Sequence, residues 1–385
     1  MALMKLSEVK ASTFRMPNPV ITAPDTESNS APEPKQAKEP VPKSRLPAGE
    51  RITRLLPGNE WMKLGTIMGS QRQLCGPLWY EGELCVLFAD TNVGKSLLGV
   101  QIADMLSTGG AHPTACPELR PEILSTMVIY ADFELSTVQF TNRYSSETTT
   151  IDSDGNEVSV RTPYVFSNYM LRAEMSYQDI DDHADPKAYT RPLSEILIDD
   201  LEYYVEAYGA QVLIIDNITF MAEGTEQAAD ALPLMKKLLK LKRKYQLSIL
   251  VLAHTPKRNL SNPLTRNDLQ GSKMIINFVD SAFAIGESVL SKELRYIKQI
   301  KQRNTGIVYG ADNVLDCVIG QVTPEFVGFK TIGSGPEERH LVKQTEKGDK
   351  HRRAQELLKK GYSHKEIAEA MGISRAQTYR YLSAT

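Results

Sequence analysis

Ala89-Asp-Thr-Asn-Val-Gly-Lys-Ser96 is the stretch that decides how this chain folds. The apolar run from Glu83 to Ala89 that leads into it predicts a buried strand, and Ser96 to Leu106 predicts a helix. A strand that turns through small residues into Gly-Lys-Ser at a helix start is the setting in which this spacing forms a phosphate cradle. The backbone N–H groups of Ala89, Asp90, Thr91, Asn92, Val93 and Gly94, with the free amides of Lys95, Ser96 and Leu97, would face the phosphates of ATP. Lys95 would reach the β- and γ-phosphates, and the Ser96 hydroxyl would coordinate Mg2+. Ala89 stands where the pattern has glycine, at a position that mainly needs a small side chain.

Working outward, further apolar runs alternate with amphipathic helical patterns, which predicts an α/β fold with a mainly parallel twisted sheet covered by helices on both faces. Expected strands are Met127–Ala131, Val212–Asp216 and Ser248–Ala253, then segments around Ser281–Ile285, Leu294–Ile300 and Val314–Ile319, the last few antiparallel. Helices are expected over Ser194–Tyr208 and Ala228–Tyr245, with Pro233 tolerated near the first turn of the latter. Between Tyr144 and Phe166 lies a polar insert with Asp152-Ser-Asp-Gly-Asn156, whose glycine is misplaced for a calcium loop and suits a hairpin turn.

Several polar residues fall at the ends of these strands. Asp216 closes Val212-Leu-Ile-Ile215, as a magnesium carboxylate would; an aspartate capping the next turn is the plainer alternative. Asp132-Phe-Glu134 follows another strand, with Glu134 the candidate for polarising the attacking water and Asp132 its competitor at the same strand end. His254 ends a third strand, where it could answer to the γ-phosphate or simply occupy a turn.

The length of 385 residues predicts a core domain and a small accessory one. Residues 1–50, rich in Pro, Ser, Glu and Lys from about Asn18, read as a disordered arm; 51–332 as the core; 333–350, opening on Gly333-Ser-Gly-Pro336, as a flexible linker; and 351–385 as the second domain. No apolar run is long enough for a membrane span and no secretory signal is evident, so a cytoplasmic location is expected. Cys75, Cys85, Cys116 and Cys317 are too scattered for a zinc cage. The formal net charge of −2 excludes a general polycation, so any contact with DNA must be local. The tail supplies such a patch, with seven basic residues against three acidic ones from His351 to Thr385.

That tail reads as helix, helix, tight turn at Gly372, helix, with capping boxes at Ser363-His-Lys-Glu366 and Ser374-Arg-Ala-Gln377. Leu357, Leu358, Ile367, Ala368, Ile373, Tyr379 and Leu382 are expected to share a small core. Arg375, Gln377, Thr378 and Arg380 would then face the major groove of DNA. The segment resembles a helix-turn-helix of the resolvase-tail kind; a protein-binding three-helix bundle is the alternative.

From about Leu78 to Ile332, five segments in order resemble the RecA-like P-loop NTPases, and more narrowly the RepA-like group of plasmid and mobile-element replication helicases. They are the phosphate loop, Val128-Ile-Tyr-Ala-Asp-Phe-Glu134, Val212-Leu-Ile-Ile-Asp216, Ile249-Leu-Val-Leu-Ala-His254 and Gln270-Gly-Ser272. The resemblance implies a ring of subunits, usually six, with ATP held between them, Glu134 as the catalytic carboxylate, and His254 and Gln270 as γ-phosphate sensors. Lys301-Gln-Arg-Asn304 looks like the segment that ring helicases insert into a neighbour's site, with Lys301 and Arg303 acting in trans; alone it would read as a solvated basic strand end. The expected function is a DNA-dependent ATPase, a ring-forming helicase or replication protein, with replication or mobilisation proteins as further partners. A transposition or mobilisation factor that binds DNA under ATP control without unwinding it is the alternative.

Overall fold

The structure is a computed structural model, described over residues 54–111, 115–174, 193–218, 228–255, 261–269, 272–341 and 344–383. The amino-terminal arm and Gln270, both singled out from sequence, lie outside those residues. By compactness the chain divides into residues 1–67 and 68–385. In the first, α1 (Gly58–Met68) buries none of its residues, and Trp61, Met62 and Ile67 are exposed.

The second unit is built on a nine-stranded sheet in the order β11-β10-β9-β8-β1-β7-β6-β2-β5. The strands are β1 (Leu84–Ala89), β2 (Val128–Asp132), β5 (Met170–Glu174), β6 (Val212–Asp216), β7 (Ser248–His254), β8 (Ser281–Glu287), β9 (Leu294–Lys301), β10 (Val314–Thr323) and β11 (Phe326–Gly335). From β8 through β1, β7, β6 and β2 to β5 all pairings are parallel, while β9, β10 and β11 run antiparallel to their neighbours. Every residue of β1, β2 and β6 is buried. Such continuous apolar runs suit only a sheet covered on both faces, and each buried Val, Ile or Leu contributes roughly 1.5–3 kcal/mol.

Alternation along the strands sends side chains to two cores. Ile129, Ala131, Leu213 and Ile215 join one, together with α4 (Leu193–Tyr208) and α5 (Ala228–Tyr245). Val128, Tyr130, Val212 and Ile214 join the other, against α2 (Lys95–Thr108). The polar insert after α3 (Thr137–Arg143) forms the expected hairpin, with β3 (Ser145–Ile151) paired antiparallel to β4 (Glu157–Pro163) and Asp152 Oδ1 accepting from Asn156 N at 2.9 Å.

Two expectations change. Gly333–Gly335 belong to β11, and Glu337 and His340 just beyond are buried, so this stretch is tied into the core rather than flexible. Lys298 and Tyr296 of β9 both bond Glu337, which itself accepts from Leu264 N at 2.7 Å. Apolar content was too thin here to suggest a strand, and its fixing comes from polar contacts distant in sequence. The edge strand β5 was likewise not foreseen.

Candidate nucleotide site and DNA-binding tail

Because β1, β7, β6 and β2 are parallel, their carboxyl ends share one edge of the sheet. The register sets Ala89 beside His254, and Asp132 beside Asp216. Residues far apart in sequence thereby surround the turn from β1 into α2.

Ala89 is the last residue of β1, where extended backbone accommodates a methyl group. The loop then bends through positive φ at Asn92 (63°) and Gly94 (110°), the kind of turn that gathers successive N–H groups on one side. Gly94 is required twice over, since a Cβ there would also lie 2.9 Å from Ile319 and Phe329 of the β10–β11 hairpin. Arg295 of β9 braces the loop by donating to Val93 O at 3.2 Å. The Lys95 ammonium is buried and donates to Ala89 O (3.0 Å), Asp90 O (2.9 Å) and His254 Nδ1 (3.1 Å). Desolvation holds its pKa below the ordinary lysine value, against the pull of Asp216 and Glu134.

An ammonium can only donate, so His254 Nδ1 is the acceptor in that contact. The other ring nitrogen, Nε2, lies 3.0 Å from Asn217 Nδ2 and 3.4 Å from Glu134 Oε1, which also accepts from Asn217 Nδ2. The hydrogen bond from His254 leads the effects that hold the Glu134 carboxyl below its ordinary pKa despite burial, and it is ionised at neutral pH. Asp132 is engaged differently. Its Oδ1 accepts from Glu134 N (3.2 Å) and Leu135 N (2.9 Å), and its Oδ2 pairs with Arg172 Nε at 2.9 Å. Arg172 also bonds Leu135 O and Glu174, so Asp132 and Arg172 together clasp the turn that carries Glu134.

Asp216 is 1% exposed. Its Oδ2 accepts from Tyr130 OH at 2.7 Å, while Oδ1 has no hydrogen-bond partner. A buried carboxylate oxygen left bare, beside the Ser96 hydroxyl that bonds the same carboxyl, is a pair of hard oxygen donors fit for Mg2+. Burial pushes the Asp216 carboxyl up to about 6, against the Ser96 and Tyr130 hydrogen bonds. A carboxyl raised in the folded state favours folding fully only below its ordinary pKa, and that contribution is lost as pH rises through about 6. Asp216→Asn removes this loss. In EDTA the variant is expected to be more stable than the parent at about pH 8 by roughly 2–3 kcal/mol, the gap closing below about pH 4. Thermal denaturation across that range checks it, and a constant gap would contradict the assignment.

Lys301 and Arg303 are not brought to this site. Lys301 pairs with Ala282 near the start of β8, whose other end is level with Ala89, so it lies toward the opposite edge of the sheet. Its Nζ donates to Ile276 O (2.6 Å) and Val279 O (2.7 Å) at the end of α6 (Ser272–Phe278). Arg303 donates to Asp280 (3.1 Å) and Asn277 O (3.1 Å). Tyr130, Asn217, Arg172 and Arg295 were not anticipated. Two of them had a local signal: Tyr130 is a polar-tipped aromatic in a strand of Val, Ile and Ala, and Asn217 directly follows Asp216. Arg172 and Arg295 had none.

The tail forms α7 (Gln344–Lys359), α8 (His364–Met371) and α9 (Arg375–Ser383), with Gly372 at φ 60° closing α8. Ser363 and Glu366 form the expected capping box, and Gln377 Oε1 accepts from Ser374 N at 3.0 Å. One of the four expected DNA-facing residues is corrected. Thr378 is fully buried, its hydroxyl donating to Ser374 O at 3.2 Å, and it lies one turn from the half-buried Leu382 on the inner face. Gln377 is exposed as expected, its carbonyl oxygen accepting from Ser374 N in the cap. Arg375 and Arg380 are exposed as expected, whereas Tyr379, expected inside, is 57% exposed and rests against the His364 ring at 4.7 Å.

A parallel sheet whose carboxyl edge gathers a phosphate loop, a buried strand-end carboxylate and a second carboxylate defines a P-loop nucleotide-hydrolysing fold. The chain belongs to the AAA domain family, whose model matches residues 61–259. Residues 346–385 match the helix-turn-helix domain of resolvase. Among solved structures, a KaiC-like protein from the hyperthermophilic archaeon Pyrococcus horikoshii OT3 is similar over 65% of this chain and 90% of that one, at 11% identity and a TM-score of 0.40. No curated protein matches the sequence. The chain is therefore a P-loop ATPase that carries a DNA-binding helix-turn-helix domain. Among the described residues no helix is long and apolar enough to cross a membrane.

Proposed function

We propose that the protein is a ring-forming, DNA-dependent ATPase of the RepA-like kind, a helicase or replication protein of a plasmid or mobile element. The observation that carries this reading is the chain of contacts from Lys95 through His254 to Glu134 along the sheet edge. It links the residue that grips phosphate to the residue that orients water. Lys95 would hold the β- and γ-phosphates of ATP, and a γ-phosphate that draws the ammonium away from His254 frees the ring to turn toward the phosphate itself. His254, with Gln270, thus reports the nucleotide state. Glu134, ionised and turned into the site, accepts the proton of the attacking water.

Ser96 and Asp216 would hold Mg2+, which when bound neutralises charge on the β- and γ-phosphates. Lys301 and Arg303, at the far edge of the sheet, suit contact with a neighbouring subunit's nucleotide in a ring, expected to be a hexamer. The helix-turn-helix would anchor the ring on particular DNA through Arg375 and Arg380.

Strand separation on a forked duplex by the purified full chain with ATP and Mg2+ tests the reading, with product expected from the parent and none from Lys95→Ala. The resolvase-type tail favours one rival, an ATP-controlled DNA-binding factor of transposition or mobilisation. DNA-stimulated turnover without any unwinding would select that rival.

A further inference from the structure

Tyr130 is fully buried on β2, facing α2, with Ile214 beside it on β6 and Asp216 two residues further along the same face. Packing alone would be met there by another apolar side chain, since Val128 and Ile214 fill the neighbouring positions. The hydroxyl is what sets Tyr130 apart. It has one proton, and the better-placed acceptor is Asp216 Oδ2 at 2.7 Å rather than Ser96 O at 3.4 Å. The other oxygen, Oδ1, is buried and unpartnered.

We propose that Tyr130 is a positioning residue for Asp216, fixing its carboxylate through Oδ2 so that Oδ1 remains available to the divalent cation. This rests on the reading that Ser96 and Asp216 hold Mg2+. A buried carboxylate with neither oxygen satisfied turns to whatever donor is near. Here the donor at hand is the Ser96 hydroxyl, which bonds the same carboxyl. A carboxylate turned wholly onto that hydroxyl gives up the oxygen that the cation needs. The Tyr130 hydroxyl prevents this.

A second residue makes room for this arrangement. Gly99 lies on α2 one turn beyond Lys95 and Ser96, and a Cβ there would meet the Tyr130 ring and hydroxyl at 3.3 Å and Leu252 at 3.1 Å. Glycine inside a helix is unfavourable, and the space it leaves is taken up by Tyr130 and Leu252.

The test is a Mg2+ titration of binding of a fluorescent ATP analogue to the full chain, which reads cation affinity without turnover. Tyr130→Phe keeps the ring and its packing, and is expected to raise the Mg2+ concentration for half-maximal binding about tenfold, from loss of a hydrogen bond to a charged acceptor. Binding of the same analogue in EDTA should be unchanged. Gly99→Ala should move the midpoint in the same direction; if it does not fold, Tyr130→Phe decides. A Tyr130→Phe midpoint equal to the parent's, while Ser96→Ala raises it, would overturn the proposal and reduce Tyr130 to packing. If Ser96→Ala and Asp216→Ala also leave the midpoint unmoved, the assignment of the cation site fails along with it.

Discussion

Glu134→Gln is expected to lower ATP turnover by about 10²–10⁴-fold, the range lost with a positioned general base. Nucleotide binding and stability should hold. The substitution preserves the side chain's shape, and its carbonyl oxygen can still accept from Asn217 Nδ2 as Oε1 does now. What it removes is the negative charge that His254, with help from Lys95, keeps in place at neutral pH. Asp132 provides the contrast, because the two carboxylates could not be told apart along the sequence. Asp132 is buried, its oxygens given to Arg172 and to the backbone of the turn holding Glu134. Removing its charge in Asp132→Asn leaves Arg172 without its buried partner, at a cost of about 3–5 kcal/mol. The expected pattern is therefore inactive but stable for Glu134→Gln, and unstable but active per folded molecule for Asp132→Asn. Single-turnover hydrolysis beside chemical denaturation of both variants checks it, and the reverse pattern would make Asp132 the base.

Arg303→Ala is expected to reduce turnover of the assembled protein by about 10³–10⁵-fold, the span associated with an arginine finger. Within its own chain Arg303 touches Asp280 and the Asn277 carbonyl, and the opposite edge of the sheet separates it from Lys95. Its side chain is 53% exposed, so a neighbouring subunit can reach it. If it acts across an interface, the defect is separable from that of Lys95→Ala. Mixed rings would contain sites built from an intact phosphate loop on one side and an intact Arg303 on the other. Equal mixtures of the two inactive variants should regain a fraction of the parent's turnover. A mixture as inactive as its components, with mixed assembly shown by differently tagged subunits, would count against action in trans.

The division between what was legible and what was not follows the range of the interactions. The phosphate loop could be read because its function resides in consecutive backbone amides and in residues fixed to them by helix geometry. The strands β1, β6 and β7 could be read because burial on both faces demands unbroken apolar runs. The burial of Thr378 and exposure of Tyr379 could not, since one residue of rotation on a short helix exchanges inside for outside, and both side chains tolerate either place.

From the order of residues alone came the parallel α/β core, the place where phosphate would be held, the carboxylates at strand ends and the helix-turn-helix tail. Each depends on local periodicity or on a turn of a few residues. Only the folded chain set Ala89 beside His254 and Asp132 beside Asp216, committed Asp132 to Arg172, left Asp216 Oδ1 bare, and put Lys301 and Arg303 at the opposite edge. Those relations follow from strand order and register, which join segments distant in sequence through hydrogen bonds that carry no mark in the sequence.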